Sequence, residues 1–190
     1  MPRPLAGIAI SADGRTVVAV DDAQPALFLI DAESSRVRDE VVLKDVPKAA
    51  QIARYAPDNS LIGVTSLNSD TVSLVDPSFR GQTAIKVGSQ PMDMAFRGDE
   101  LFVACQGDGS VHVIDIPKRR AKESFRAGTG CESLGFFWGT LYSAHAAGCA
   151  SSVPDDLHLR FEAAVRRSAR ARLTFVARRQ HPADTAQSSL

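Results

Sequence analysis

The chain has 190 residues, 44% of them hydrophobic, and its 22 basic side chains balance 22 acidic ones to a formal charge of zero. This is the size and composition of one globular domain, without the charge excess that draws a protein to nucleic acid or to a membrane surface. No apolar run reaches the roughly 20 residues of a membrane span, and three irregularly spaced cysteines, Cys105, Cys131 and Cys149, do not make a disulfide framework.

Met1-Pro-Arg-Pro-Leu5 has no apolar stretch of the kind a signal peptide needs. A cytoplasmic setting is the default expectation. The first predicted strand follows at once, over Gly7-Ile-Ala-Ile-Ser11. A turn at Ala12-Asp13-Gly14-Arg15 leads into Val17-Val18-Ala19-Val20. A polar loop carries Asp21 and Asp22, and Leu27-Phe-Leu-Ile-Asp31 ends in aspartate. The order then repeats. Gln51-Ile-Ala-Arg-Tyr55, the turn Pro57-Asp58-Asn59, Leu61–Val64 and Val72-Ser-Leu-Val-Asp76 lead to Gln82–Gly88. Asp93-Met-Ala-Phe-Arg97, Gly98-Asp99, Leu101–Ala104 and Val111-His-Val-Ile-Asp115 lead to Lys122–Gly128. A fourth copy begins with Ser133-Leu-Gly-Phe-Phe137, Trp138-Gly139 and Leu141–Ala144. Asp-Gly, Pro-Asp-Asn and Gly-Asp supply the backbone geometries that tight turns require.

Aligned on Ile8, Ile52, Met94 and Leu134, the copies stand 44, 42 and 40 residues apart. A fixed period in this range marks a propeller, solenoid or array. Four short apolar strands per unit, with turn residues between them, is the pattern of a propeller blade. One such sheet cannot cover both of its apolar faces, so it must stack on neighbours. The expected fold is all-β: a partial β-propeller of about three to three and a half four-stranded antiparallel blades. The blades fall at about 5–45, 46–88 and 89–128, with the start of a fourth at 129–144. A closed ring needs about 4 to 8 blades, so an open wheel leaves apolar faces and strand edges uncovered. The expected partners are the chain itself or another propeller fragment, meeting those faces, or an unknown protein or small ligand. Neither nucleic acid nor a membrane is expected.

The units resemble the YVTN-type β-propeller repeat family over residues 5 to about 144. The pattern Pro-Asp-Gly, Leu-Tyr-Val-Ala-Asn, a strand ending in Asp and a strand ending in Val-Gly is carried in pieces. Ala12-Asp13-Gly14 and Pro57-Asp58-Asn59 match its first element. Leu101-Phe102-Val103-Ala104-Cys105 and Leu141-Tyr142-Ser143-Ala144-His145 match the second. Asp31, Asp76 and Asp115 match the aspartate, and Val87-Gly88 the last. Asp21, Thr65, Cys105 and His145 replace the family's Asn. The resemblance implies fold. Its family includes secreted scaffold and surface proteins, and is similar to propellers that act as lactonases or quinoprotein subunits. By this resemblance a secreted or periplasmic setting competes with the cytoplasmic one.

The pattern breaks after Ala144. Residues 145–190 hold seven Arg, no Lys and four acids, whereas the preceding part carries 15 basic and 18 acidic residues. For 155–180, Ala-, Glu- and Arg-rich composition favours a helix. Leu157, Leu159 and Phe161, and again Ala171, Leu173 and Phe175, instead alternate like strands. The tail is expected to be irregular, helical or disordered. The Arg cluster at Arg166, Arg167, Arg170, Arg172, Arg178 and Arg179 reads as an anion-binding patch, a solvated face, or sequence read out of frame.

In a propeller, ligands meet the loops around the central channel. The loops after the second strands carry Asp21, Asp22, Asn68, Asp70, Gln106 and Asp108, and those entering the first strands carry Lys48, Gln90 and Glu132. These are the ligand-face candidates, and turns alone also select such residues. Asp31, Asp76 and Asp115 recur once per blade and are expected to accept backbone N–H groups of the next turn. Cys131, His145 and Cys149 lack the spacing and the fourth ligand of a zinc site, so no metal and no cofactor are expected. His112 reads as packed. No nucleophile elbow, phosphate loop or HExxH is present, and Gly107-Asp-Gly109 reads as a hairpin turn. The reading is a non-catalytic binding or scaffold module built from propeller repeats. Two alternatives stand beside it: a fragment of a propeller enzyme, and a truncated or frameshifted product without function.

Overall fold

The computed structural model describes residues 5–21, 23–46, 50–137, 140–145 and 172–175. The first sheet orders β1 (Leu5–Ile10), β2 (Thr16–Asp21), β3 (Ala26–Asp31) and β4 (Val37–Val42) as an antiparallel meander. The second repeats it with β5 (Ile52–Tyr55), β6 (Ile62–Ser66), β7 (Thr71–Val75) and β8 (Gln82–Lys86), and the third with β9 (Pro91–Arg97), β10 (Glu100–Cys105), β11 (Ser110–Asp115) and β12 (Arg120–Arg126). A fourth sheet starts with the antiparallel pair β13 (Cys131–Phe137) and β14 (Thr140–His145). The one helical element among the described residues is a 3-10 turn at Leu67–Ser69.

The turns explain why each strand stops. Gly14 (φ 71°) and Asn59 (φ 60°) take the left-handed conformation at matching places in the first hairpins. Their N–H groups donate to Ser11 O and Ala56 O at 2.9 Å. Asp13 and Asp58 brace the same turns through Oδ1, accepting from Arg15 N and Ser60 N at 3.0 Å. Hydrogen bonds from the Ser11 and Ser60 hydroxyls hold both carboxyls below the usual aspartate range.

The sheets stack face to face, with β1 against β5, β5 against β9 and β9 against β13. Strand alternation then places apolar side chains on both faces of the middle sheets, and three clusters fill the junctions. Val18, Val20 and Leu27 of the first sheet meet Ala53, Ile62, Val64 and Val75 of the second. Val72, Leu74 and Ile85 meet Met94, Leu101, Val103 and Ile114 of the third. Ala95, Phe102, Ala104 and Val113 meet Leu134 and Leu141 of the fourth, where Phe102 and Phe136 pack edge to face at 5.2 Å. Each fully buried Val or Leu contributes about 1.5–3 kcal/mol. Gly63 sits where a Cβ would lie 2.5 Å from Met94 Sδ, so the second junction closes over a backbone without a side chain.

The packing corrects the alignment at the second repeat. Met94 and Leu134 pack against the preceding sheet, and Ile8 is on the side of β1 away from the first junction, but in β5 the place that packs backward falls to Ala53 and not to Ile52. Gln51-Ile-Ala-Arg-Tyr55 is apolar in both strand phases, Ile52 in one and Ala53 with Tyr55 in the other, and only the neighbouring sheet selects between them.

From the tail, Arg172–Phe175 forms β15, which pairs with β14 in parallel from Thr140↔Arg172 to Ser143↔Phe175. A third blade strand is antiparallel to its second, as β3, β7 and β11 are. Arg172–Phe175 falls within the helix expected over 155–180 and is strand instead; the remainder of 146–190, with most of the arginine cluster, lies outside the described residues.

Candidate functional site at the polar end of the sheets

The first strands begin, and the second strands end, at one end of the stack: Cys105 is level with Pro91 and Cys131 with His145. The loops that carry the candidate ligand residues meet there. Asp22 and Lys48 lie outside the described residues.

Most of the remaining candidates are tied to one another or to the backbone. Asp21 is 1% exposed, and its Oδ1 accepts from Ala23 N at 2.7 Å and Gln24 N at 3.1 Å. Asp70 adopts left-handed φ 52°, and its Oδ1 accepts from Gln90 N at 3.0 Å across the second junction. Gln106 Nε2 donates to Glu132 Oε1 at 2.6 Å across the third. Asp108 accepts from Ser89 N and Ser110 N at 3.0 Å each and from Ser110 Oγ at 2.6 Å. Partial burial pushes this carboxyl up, and the bonds from Ser110 and Ser89 more than offset it, so it titrates below the usual range. Asn68 and Gln90 are exposed. Lys86 Nζ donates to Ser69 O at 2.8 Å, and His145 joins Thr129 O and Ser143 Oγ. The result is a rim of fixed polar groups.

A second polar assembly lies along the inner strands, unrecognised in the sequence. Asp93 on β9 is 2% exposed. Its Oδ1 receives Arg54 Nε at 2.8 Å and Nη2 at 2.7 Å. Its Oδ2 accepts Ser133 Oγ at 2.8 Å and Leu134 N at 3.0 Å. One carboxylate thereby ties β5, β9 and β13 together, which meets the demand that a buried charge be paired. The available signal was a pair of opposite charges in the first strands of consecutive repeats.

The recurrent aspartates divide. Asp31 Oδ1 accepts from Ser34 N at 2.8 Å, and Asp115 Oδ1 from Lys118 N at 3.0 Å, each capping its own turn. Asp76 instead pairs with Arg119, in the turn between β11 and β12 of the next repeat, at 2.6 Å.

Neither described cysteine is an activated nucleophile. Burial pushes the thiols of Cys105 and Cys131 up to about 12, so both stay protonated and inert. Burial lowers the pKa of half-buried His112, against the pull of Asp108. Among the described residues no three potential metal ligands gather. The chemistry on offer at the rim is hydrogen bonding from fixed donors and acceptors.

No protein-family model matches the chain, and no curated protein sequence matches it. Solved structures do. Hydrazine synthase of Kuenenia stuttgartiensis matches with TM-score 0.64 and 25% identity, over 70% of this chain and 39% of that one. The β-propeller domain of Cps50 (Swd1) from Myceliophteria thermophila matches with TM-score 0.61 and 16% identity, over 78% of this chain and 51% of that one. The WD40 repeats of RRP9 match with TM-score 0.61 and 13% identity, over 70% and 42%. The fold is that of a β-propeller. The chain spans about two fifths to one half of the length of the solved chains it matches.

Proposed function

We propose that the chain is a binding or scaffold module, a propeller piece of YVTN-type repeats that engages protein partners and carries out no chemistry of its own. The observation that supports this reading is the rim itself. Asp70–Gln90, Gln106–Glu132 and Asp108–Ser89 are bonded across or beside blade junctions, leaving a preorganised surface that binds without first ordering its loops. The likeness to WD40 repeat domains agrees with that use. Candidate partners are the chain itself, another propeller fragment, an unrelated protein or a small ligand.

Affinity capture with the native chain and with Asn68→Ala/Gln90→Ala/Glu132→Ala tests it. The expected outcome is one stoichiometric protein retained by the native chain and lost from the triple variant. Equal capture by both overturns the rim as the binding surface. The enzyme-fragment reading draws on the hydrazine synthase likeness. Turnover of lactones by the purified chain with added divalent metal would favour it.

A further inference from the structure

At the first and third junctions inside the chain, an alanine on the inner strand of the earlier sheet receives larger apolar side chains from the inner strand of the later one, whereas at the second Arg54 holds the alanine's place and Gly63 of β6 makes room for Met94. At the third junction Leu134 and Phe136 of β13 pack with Ala95 of β9. At the first, Ala53 and Tyr55 of β5 pack with Ala9 of β1. The first sheet presents large apolar side chains with no sheet against them among the described residues. Ile8 is 63% exposed, Ile10 59%, Val37 60% and Val42 63%. Ile8 and Ile10 hold the places that Met94 and Phe96, or Leu134 and Phe136, fill elsewhere, and Met94 is 0% exposed.

Small residues stand at the other end of the stack. The outward face of the fourth sheet carries Gly135, where a Cβ would meet nothing within 4 Å. Level with it is Tyr142, and the exposed Ala144 lies on the same face. Gly135 occupies the position of Ala9 and Ala95. Among the described residues these two faces are uncovered and carry large and small side chains at matching places, and they do not meet within the chain. The matched length allows two copies, since the chain spans 39–51% of the solved propeller chains it matches.

We propose that the occupant of the first sheet's open face is the fourth sheet of a second copy, with Ile8 and Ile10 seated over the partner copy's Gly135 and Ala144. Two-fold symmetry makes the reciprocal junction identical, and the pair closes into one ring without free blade faces. This deepens the proposed function by naming a partner, and it rests on reading the chain as a propeller piece.

The test is light scattering behind size exclusion on the full chain, combined with cross-linking. In a Cys149→Ser background, Ile8→Cys chains are mixed with Gly135→Cys chains under mild oxidation. The expected results are a dimer and a disulfide between unlike chains. Ile8→Asp/Ile10→Asp should weaken the dimer at least tenfold while leaving the far-ultraviolet circular dichroism of the protomer unchanged, because both side chains already face solvent in the protomer. Gly135→Arg should weaken it from the other side. A monomer at tens of micromolar, an open-ended oligomer, or preferential cross-linking of Ile8→Cys chains to each other overturns the proposal. The rim triple variant must still dimerise. A native chain that stays monomeric but captures a partner through the rim defeats this inference and leaves the proposed function standing.

Discussion

Arg54 and Asp93 stand one repeat apart in sequence and meet through Arg54 Nε and Nη2 at 2.8 and 2.7 Å from a single carboxylate oxygen. The pair is lopsided. The Asp93 side chain is 3% exposed and that of Arg54 48%. Removing the arginine leaves a buried charge, whereas removing the aspartate leaves a cation within reach of water. Arg54→Met should therefore cost about 3 kcal/mol, the low end for a broken buried pair, because Ser133 and Leu134 still donate to the other oxygen. Arg54→Met/Asp93→Ala should lose less than the sum of the single changes. Urea unfolding of the four chains measures both.

Leu74→Ala tests the second junction. Leu74 is fully buried between the second and third sheets, so truncation should cost about 2–5 kcal/mol, including the cavity left behind. Loss of less than 1 kcal/mol in chemical denaturation would mean that the sheets do not pack as described.

Gly63 tests the same junction from the opposite direction. An alanine methyl there would meet Met94 Sδ at 2.5 Å and Phe96 at 3.3 Å. Gly63→Ala should destabilise by about 1–3 kcal/mol through overpacking. Met94→Ala in the same chain should return part of that loss, since the thioether is the atom in the way. A double-mutant cycle reads the coupling, and strict additivity would count against the contact.

His112 predicts a pH dependence. Burial sets its folded pKa below the ordinary value of 6.5, although Asp108 opposes the shift. Between the folded and unfolded values the unfolded chain binds more protons, so stability rises with pH through that window. This contribution is full above about pH 6.5 and lost as the pH falls toward the folded value. His112→Gln should flatten that stretch of the profile, measured as the midpoint of thermal unfolding between pH 5 and pH 8.

The strand and turn order of three blades was legible in the sequence because period-two alternation and turn residues are local signals. Val72–Asp76 and Val111–Asp115 announce themselves without reference to the rest of the chain. What was not legible depends on neighbours. The phase of Gln51–Tyr55 is settled by the first sheet, against which Ala53 packs. The Arg54–Asp93–Ser133 tie joins residues about 40 apart in sequence, and nothing local marks it. At the rim, Asp70 and Asp108 were singled out for their loop positions. Their bonds to Gln90 and Ser89 belong to the contact between blades, which no single repeat encodes. The parallel pairing of Arg172–Phe175 is equally non-local, since its alternation fitted a strand without naming a neighbour.

Three core clusters, each shared by only two adjacent sheets, give the chain the energetics of a linear array. Among the described residues of the single chain, the second and third sheets have a neighbour on each side, and the first and fourth have one. Amide hydrogen exchange should then be graded along the stack. It should be slowest in β6, β7, β10 and β11 and fastest in β1, β4 and β13, with fraying that starts at the two terminal sheets and moves inward.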